Sequence, residues 1–101
     1  MTVVSILRLP VRPEAVRELA RAFEELDVFG HSEQSGGFLG GRFLRPLEEQ
    51  APVVVVAEWE SSESYQAWLD NPVRDELRGR LAPLLAGVVA AGDLYEEVPV
   101  R

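Results

Sequence analysis

The order of predicted elements, β-α-β-β-α-β, indicates an α+β protein of ferredoxin-like fold, with two helices on one face of a four-stranded antiparallel sheet. Three observations support this prediction. Runs of β-branched and aliphatic residues mark the strands, most clearly at residues 53–60. Apolar residues at helical spacing mark helices within residues 13–26 and 62–85. The length of 101 residues suits one domain, which we assign to residues 1–101.

The first predicted elements are a strand and a helix. Residues 3–9 carry hydrophobic side chains on both parities, which favours a strand that is covered on both faces. Pro13 suits the first turn of the helix that follows, and Gly30 is expected to end it. The polar residues 31–35 predict a loop, in which His31 is solvated. The apolar stripe of the helix consists of Val16, Leu19, Ala20, Phe23 and Leu26.

Two strands are predicted in the middle of the chain. Residues 36–45, GGFLGGRFLR, predict a strand that is weakened or bulged at Gly40 and Gly41. The glycines leave room for another backbone or a flat ligand, and the absence of G-x-G-x-x-G argues against a phosphate-binding loop. Residues 53–60, VVVVAEWE, predict the strongest strand because valine favours the pleated sheet.

The last third of the chain predicts a broken helix and a final strand. Ser61 is expected to cap the helix that follows it. Asn71 caps a second helical segment with Pro72 at its first position, and Pro83 ends or kinks that segment. Residues 94–100 predict the fourth strand.

The strand at residues 53–60 has hydrophobic side chains on both faces. Val54 and Val56 lie on one face, and the helices of such a fold cover only one of the two faces. An exposed apolar surface of this kind usually marks an interface, and a symmetric sheet-to-sheet homodimer is its simplest cover. The opposite face carries Val53, Val55, Ala57 and Trp59.

Composition excludes several classes of site. The chain has no cysteine and no lysine, which excludes disulfides, thiolate chemistry and a lysine Schiff base. His31 is the only histidine, so one chain cannot build a site with two histidine ligands. The net charge of −7 argues against binding to nucleic acid or to an anionic membrane. The sequence shows no signal peptide or membrane span, so we expect a soluble cytoplasmic protein. We also expect no metal and no cofactor.

The segment EWESSESY at residues 58–65, which follows a valine strand and precedes Trp68, resembles the antibiotic biosynthesis monooxygenase family. The GFLG segment at residues 37–40 is similar to the turn that leads into the family's second strand. The resemblance implies a dimeric α+β barrel, in which ferredoxin-like protomers pair through their sheets. It also implies a pocket between sheet and helices, and some members are cofactor-free oxygenases that turn anthrones into quinones.

The family's polyketide oxygenases also imply roles for particular residues. Trp59, Tyr65 and Arg78 match a tryptophan, a tyrosine and an arginine of the catalytic set, with Arg78 holding an oxyanion or pairing with a neighbouring acid. Two polar positions are not matched, because Val55 replaces an asparagine and a histidine falls near Leu44. The predicted substrate-binding residues are Trp68, Arg42, Phe38 and Val55, with Arg42 pointing into the pocket or pairing across the dimer.

A second branch of the family degrades haem and resembles this chain at Trp68. Its axial histidine falls at about Arg78, and its first-strand asparagine falls near Ile6 or Leu7. Arginine has no free lone pair for iron at neutral pH. The sequence therefore argues against haem degradation.

The leading hypothesis is a cofactor-independent monooxygenase that oxidises an aromatic polyketide or a related phenol with O₂. Such an enzyme needs an apolar pocket, a group that handles a proton, and donors that stabilise the developing anion. One alternative is a non-catalytic small-molecule-binding or dimerisation module of the same fold. Another is an isomerase or cyclase, which needs a proton shuttle but no oxygen.

Overall fold

A computed structural model describes residues 2–101. Residues 2–101 form four strands, four α-helices and two short 3-10 turns, and the helices lie on one side of the sheet. The strands are β1 (Val3–Leu9), β2 (Phe38–Leu44), β3 (Val53–Trp59) and β4 (Asp93–Glu96). The helices are α1 (Val16–Glu25), α2 (Val28–Ser35), α3 (Ser62–Leu69) and α4 (Pro72–Leu81), with 3-10 turns at Pro13–Ala15 and Ala82–Leu84.

The sheet has the order β2-β3-β1-β4, and each neighbouring pair is antiparallel. In the central pair, Val3 lies opposite Trp59 and Leu9 lies opposite Val53. This order confirms the ferredoxin-like fold predicted from the sequence. None of the helices in residues 2–101 is long and apolar enough to cross a membrane.

The helical segment between β1 and β2 differs from the prediction. Helix α1 ends at Glu25, and Asp27 adopts a left-handed conformation with a φ of 51°. The chain then turns into α2, so residues 31–35 are helical where a loop was predicted, and Gly30 lies inside a helix. Val28 and Phe29 pack against the core, and this tertiary packing stabilises a helix that its polar composition does not favour.

The end of the sheet is also shorter than predicted. Strand β4 ends at Glu96, and the last backbone hydrogen bond there is donated by Glu97 N–H to the carbonyl of Thr2 at 3.0 Å. Residues 98–101 lie outside the strand. Because Val98 and Val100 are exposed, they gain nothing from packing that would extend the ladder in this chain.

The two faces of β3 have different environments. Val53, Val55, Ala57 and Trp59 are buried under the helices, and Trp59 and Val53 are at most 1% exposed. Val54 and Val56 are only half-buried on the other face, which no helix covers. We call this uncovered surface the open face. It also carries Val4, Ile6, Leu44 and Tyr95, together with an ion pair of 2.6 Å between Arg8 and Asp93.

The predicted irregularity in β2 is present as a register shift between Phe38 and Gly40. Gly41 then lies against the ring of Phe29, where an added Cβ would be 2.5 Å from the nearest ring carbon. A side chain of α2, rather than a backbone or a ligand, therefore occupies the space that this glycine provides.

Candidate active site

An apolar cavity of about 110 Å³ lies between the covered face of the sheet and the helices. Its floor consists of side chains from β1 and β3, and its walls come from all four helices and the segment after α4. The inner lining includes Ser5, Leu7, Phe23, Phe29, Ser32, Phe38, Val55, Trp59, Tyr65, Trp68, Leu77 and Leu81.

Aromatic rings form a continuous row along this cavity. Phe38 packs edge-on against Trp59 with ring centroids 5.2 Å apart, and Trp59 packs edge-on against Tyr65 at 5.7 Å. On the other side of Phe38, the ring of Phe29 stacks at 5.8 Å and meets Phe23 at 6.0 Å. Edge-to-face pairs of this kind fix ring orientation, so the row forms a preorganised wall for a flat apolar ligand.

A second chamber of about 330 Å³ adjoins the apolar cavity on the outside. Tyr65, Arg74 and Arg78 line both spaces, and the segment from Val89 to Gly92 borders the outer chamber. Gly92 permits the close approach of this segment to Tyr65, because a Cβ there would be 2.9 Å from the Tyr65 hydroxyl oxygen. The site therefore has an apolar inner end and a positively charged outer end.

The two arginines of the outer chamber differ in their partners. Arg78 donates to the carboxylate of Asp75 at 2.8 Å, and both side chains are more than half exposed. Arg74 has no ion pair within 4.0 Å among residues 2–101, and it is half-buried. Arg74 therefore has the greater capacity to receive an anionic group of a ligand.

Tyr65 stands where the two chambers meet and is half-buried. Burial raises the pKa of Tyr65 above its ordinary value of 10.0, Arg74 acts against that rise, and Asp93 adds to it. The phenol is consequently protonated at neutral pH. It can donate a hydrogen bond to a ligand, but it does not act there as a base.

The cavity also contains two buried serines. The indole N–H of Trp59 donates to the Ser5 hydroxyl oxygen at 3.0 Å, while the Ser32 hydroxyl donates to the carbonyl of Val28 at 2.9 Å. Ser5 is 5% exposed and Ser32 is 3% exposed. No side-chain polar atom buried within the described part of the chain lacks a hydrogen-bond partner.

Six of the seven residues predicted for the site line the cavity, and the structure brings Trp59, Tyr65, Trp68, Phe38, Val55 and Arg78 together. Arg42 is the exception, since it pairs in register with Val56 on the open face. The bulge after Phe38 reverses the alternation of β2, so Arg42 no longer shares a face with Phe38. The expectation that Arg42 points into the pocket of its own protomer is therefore corrected.

Three polar residues of the site were missed by the sequence analysis. Arg74 stands four residues before Arg78, a spacing that places both on one face of a helix. Ser5 shares its strand parity with Leu7 and Leu9, which indicates an inward position. Ser32 was missed because its segment was predicted to be a loop. His31 lies in the same helix but does not line either chamber.

The side chains that line the cavity offer few ligands for a metal ion or for haem iron. Within residues 2–101, no group of three or more histidine, cysteine or acidic side chains is placed to hold a metal ion. The lining residues supply no imidazole, thiolate or thioether for haem iron, and Tyr65 provides their only phenol oxygen. The residues present therefore do not fit a haem that is held through histidine.

Fold and cavity together define a small ferredoxin-like protein with an apolar site between sheet and helices. Residues 2–79 match the antibiotic biosynthesis monooxygenase family. The chain belongs to this family. Over 73 residues it is 40% identical to a mycobilin-producing haem oxygenase of Mycobacterium tuberculosis. The aligned region covers 71% of this chain and 67% of that protein.

Solved structures of the family superpose over nearly the whole chain. The haem degrader MhuD of Mycobacterium tuberculosis, solved with two haems in its active site, has a TM-score of 0.77 and 33% identity over 98% of each chain. A monooxygenase from the ActVA-Orf6 gene of Streptomyces coelicolor, solved with nanaomycin D, has a TM-score of 0.78 and 21% identity. That match covers 99% of this chain and 89% of the other, and it supports the fold alone.

Proposed function

We propose that this protein is a cofactor-independent monooxygenase that oxidises an aromatic polyketide or a related phenol with O₂. The observation that carries the proposal is the row of aromatic rings inside an apolar cavity whose outer end holds Arg74 and Arg78. Trp59 and Trp68 enclose the flat substrate, and Phe38 and Val55 complete the apolar surface. The arginines and the protonated Tyr65 stabilise negative charge on substrate oxygen.

The chemistry is that of a carbanion that reacts directly with O₂. An anthrone loses a proton from its ring CH₂ group and transfers electrons to O₂. The ring carbon is oxidised to a carbonyl, one oxygen atom enters the product, and the other leaves as water. Exclusion of water by the apolar wall strengthens the interaction of the half-buried Tyr65 and Arg74 with the anion.

The acidity of the substrate is essential to this proposal. The titratable side chains that line the two chambers are Tyr65, Arg74 and Arg78, and none is a base near neutral pH. The substrate must therefore be acidic enough to ionise once its anion is stabilised. Anthrones meet this condition, because loss of the ring CH₂ proton gives an aromatic oxyanion.

Oxygen uptake with anthrone tests the activity. We expect purified protein to consume O₂ and to form anthraquinone, and Tyr65→Phe and Arg78→Gln to slow the reaction while Arg80→Gln leaves it unchanged. Turnover that persists under nitrogen would instead indicate an isomerase or cyclase. Saturable binding without turnover across a broad panel of phenols and anthrones would indicate a binding module that lacks oxygenase activity.

A tetrapyrrole is the second candidate ligand, because the mycobilin-producing relative is 40% identical over 73 residues. Without an imidazole in the lining, this ligand would have to bind through apolar contacts and through Tyr65. Titration with haemin, followed by the Soret band, tests it. A Soret shift that Tyr65→Phe abolishes would favour haem; an unchanged spectrum together with quenching of tryptophan fluorescence by anthrones favours the first candidate.

The protein also acts as a homodimer in this proposal, joined through its open faces. The open face bears six apolar side chains, Val4, Ile6, Leu44, Val54, Val56 and Tyr95, and no element of residues 2–101 covers it. Pairing two such faces would remove this apolar surface from water.

A further inference from the structure

The two serines of the cavity use their hydroxyl groups differently. Ser32 donates its hydrogen to the carbonyl of Val28, one turn earlier in its own helix. Ser5 instead accepts a hydrogen bond from the indole of Trp59. Both side chains are more than nine-tenths buried and both line the cavity. Their hydrogen-bonding roles therefore decide which of them can donate to a ligand.

The Ser5 hydroxyl retains a hydrogen that no group of the described chain accepts. A serine hydroxyl has one hydrogen and two lone pairs, and an indole N–H can only donate. The contact with Trp59 therefore occupies a lone pair of Ser5 and leaves its hydrogen free. Ser5 also lies in the middle of β1, paired with Ala57 on one side and Leu94 on the other, so the neighbouring backbone carbonyls belong to the sheet.

We propose that Ser5 is a ligand-binding residue that donates a hydrogen bond to an oxygen atom, a ring carbonyl or a phenolate, of the aromatic ligand. This inference rests on the proposed function and narrows its substrate class to flat aromatics that carry an oxygen atom within reach of Ser5 in the cavity. The Trp59 indole strengthens the donor, because a hydroxyl that accepts one hydrogen bond donates a second one more strongly. A hydrocarbon of the same shape leaves this buried donor unpaired.

Two matched ligands test the proposal by isothermal titration calorimetry. A carboxylated anthraquinone and a carboxylated anthracene share shape, charge and the position of the carboxylate, and they differ only in the ring carbonyls. We expect the wild-type protein to prefer the quinone about tenfold, the effect of one buried hydrogen bond. Ser5→Ala should reduce this preference to a ratio near one. Ser32→Ala is the matched control and should keep the preference.

A further variant separates binding from folding. Ser5→Ala also leaves the Trp59 indole N–H without its acceptor, which can destabilise the protein. The double variant Ser5→Ala/Trp59→Phe removes both groups and should fold, with the quinone preference lost. Trp59→Phe alone keeps the Ser5 hydroxyl but removes the indole that strengthens it, so the quinone preference should be reduced without being abolished. Circular dichroism melts identify the folded variants.

The outcomes distinguish this proposal from the one on which it rests. A quinone preference that survives in both Ser5 variants, or that Ser32→Ala abolishes equally, overturns the role of Ser5 but leaves aromatic binding intact. A wild type that binds both compounds with equal affinity has the same meaning. A wild type that binds neither compound overturns the proposed aromatic site together with this inference.

Discussion

Removal of the Arg74 guanidinium should weaken binding of anionic aromatic ligands and spare neutral ones. Arg74 lines both chambers, is half-buried and forms no ion pair among the described residues, whereas Arg78 is already engaged by Asp75. Arg74→Gln keeps much of the side chain's length and removes its charge. The variant therefore tests the charge of the outer chamber while its apolar contacts are largely retained.

The magnitude follows from the position of Arg74. A hydrogen bond to a charged group contributes about 1.5–3 kcal/mol when it is well shielded, whereas an exposed ion pair contributes at most about 1 kcal/mol. A half-buried side chain at a chamber mouth lies between these limits, at about 1.5 kcal/mol, which corresponds to about a tenfold increase in Kd. Arg78→Gln should cost less, because Asp75 competes with the ligand for that guanidinium.

The assay compares a carboxylated anthraquinone with its neutral hydroxymethyl analogue by calorimetry at low and high salt. Arg74→Gln should raise Kd for the carboxylate about tenfold and leave the analogue nearly unchanged, and added salt should narrow the difference. Arg80→Gln is the control, since Arg80 lies on α4 but lines neither chamber. Equal losses for both compounds, or an equal loss in the Arg80 variant, would refute the reasoning.

Three further predictions concern stability, assembly and titration. Gly41→Ala should destabilise the fold by about 1–3 kcal/mol in urea denaturation, because the Phe29 ring of α2 occupies the Cβ position. Gly40→Ala is the control and should not destabilise the fold, because the space around Gly40 is open. Equal losses of stability in the two variants would contradict this account. Val56→Asp should yield monomers in light scattering if open faces pair, while a monomeric wild type at high concentration would disprove the dimer. Because the pKa of Tyr65 is raised in the folded protein, the folded state binds the phenol proton more tightly than the unfolded state does. The contribution of the protonated Tyr65 to the free energy of unfolding is therefore complete below pH 10.0 and is lost as the pH rises through the pKa of the folded state. Arg74→Gln should raise that pKa further in an absorbance titration, with Tyr65→Phe identifying the signal, and a lowered pKa would contradict the assignment.

The sequence was sufficient where the alternation of a regular strand or a helix cap determined the local structure. The alternation along β3 correctly put Val55 and Trp59 on one face and Val56 on the other, and the structure shows that the first face lies under the helices. The cap at Ser61, where the side chain accepts from Ser64 N–H at 3.1 Å, fixed the start of α3 as predicted.

The alternation of faces gave a wrong prediction in β2, where one extra residue interrupts the regular strand. Phe38 and Arg42 are four positions apart and would share a face in a regular strand. The register shift between Phe38 and Gly40 inserts one extra residue, so the later part of β2 presents the opposite parity. The sequence indicated a bulge at these glycines, but its position within the ladder depends on the packing of Phe29 over Gly41.

The polar groups of the site required the structure for a different reason. Whether a serine in a cavity is available to a ligand depends on whether its hydrogen has found an acceptor, and Ser5 and Ser32 differ in that respect. Likewise, Arg74 and Arg78 are equivalent in spacing and differ because Asp75 engages one of them. Composition and periodicity specify the apolar wall, whereas the orientation of a bound ligand depends on these few hydrogen bonds. In the proposed enzyme, an anionic group at the arginines and an oxygen at Ser5 would hold an aromatic substrate at two points. Its reacting carbon would then lie against the aromatic row, shielded from water.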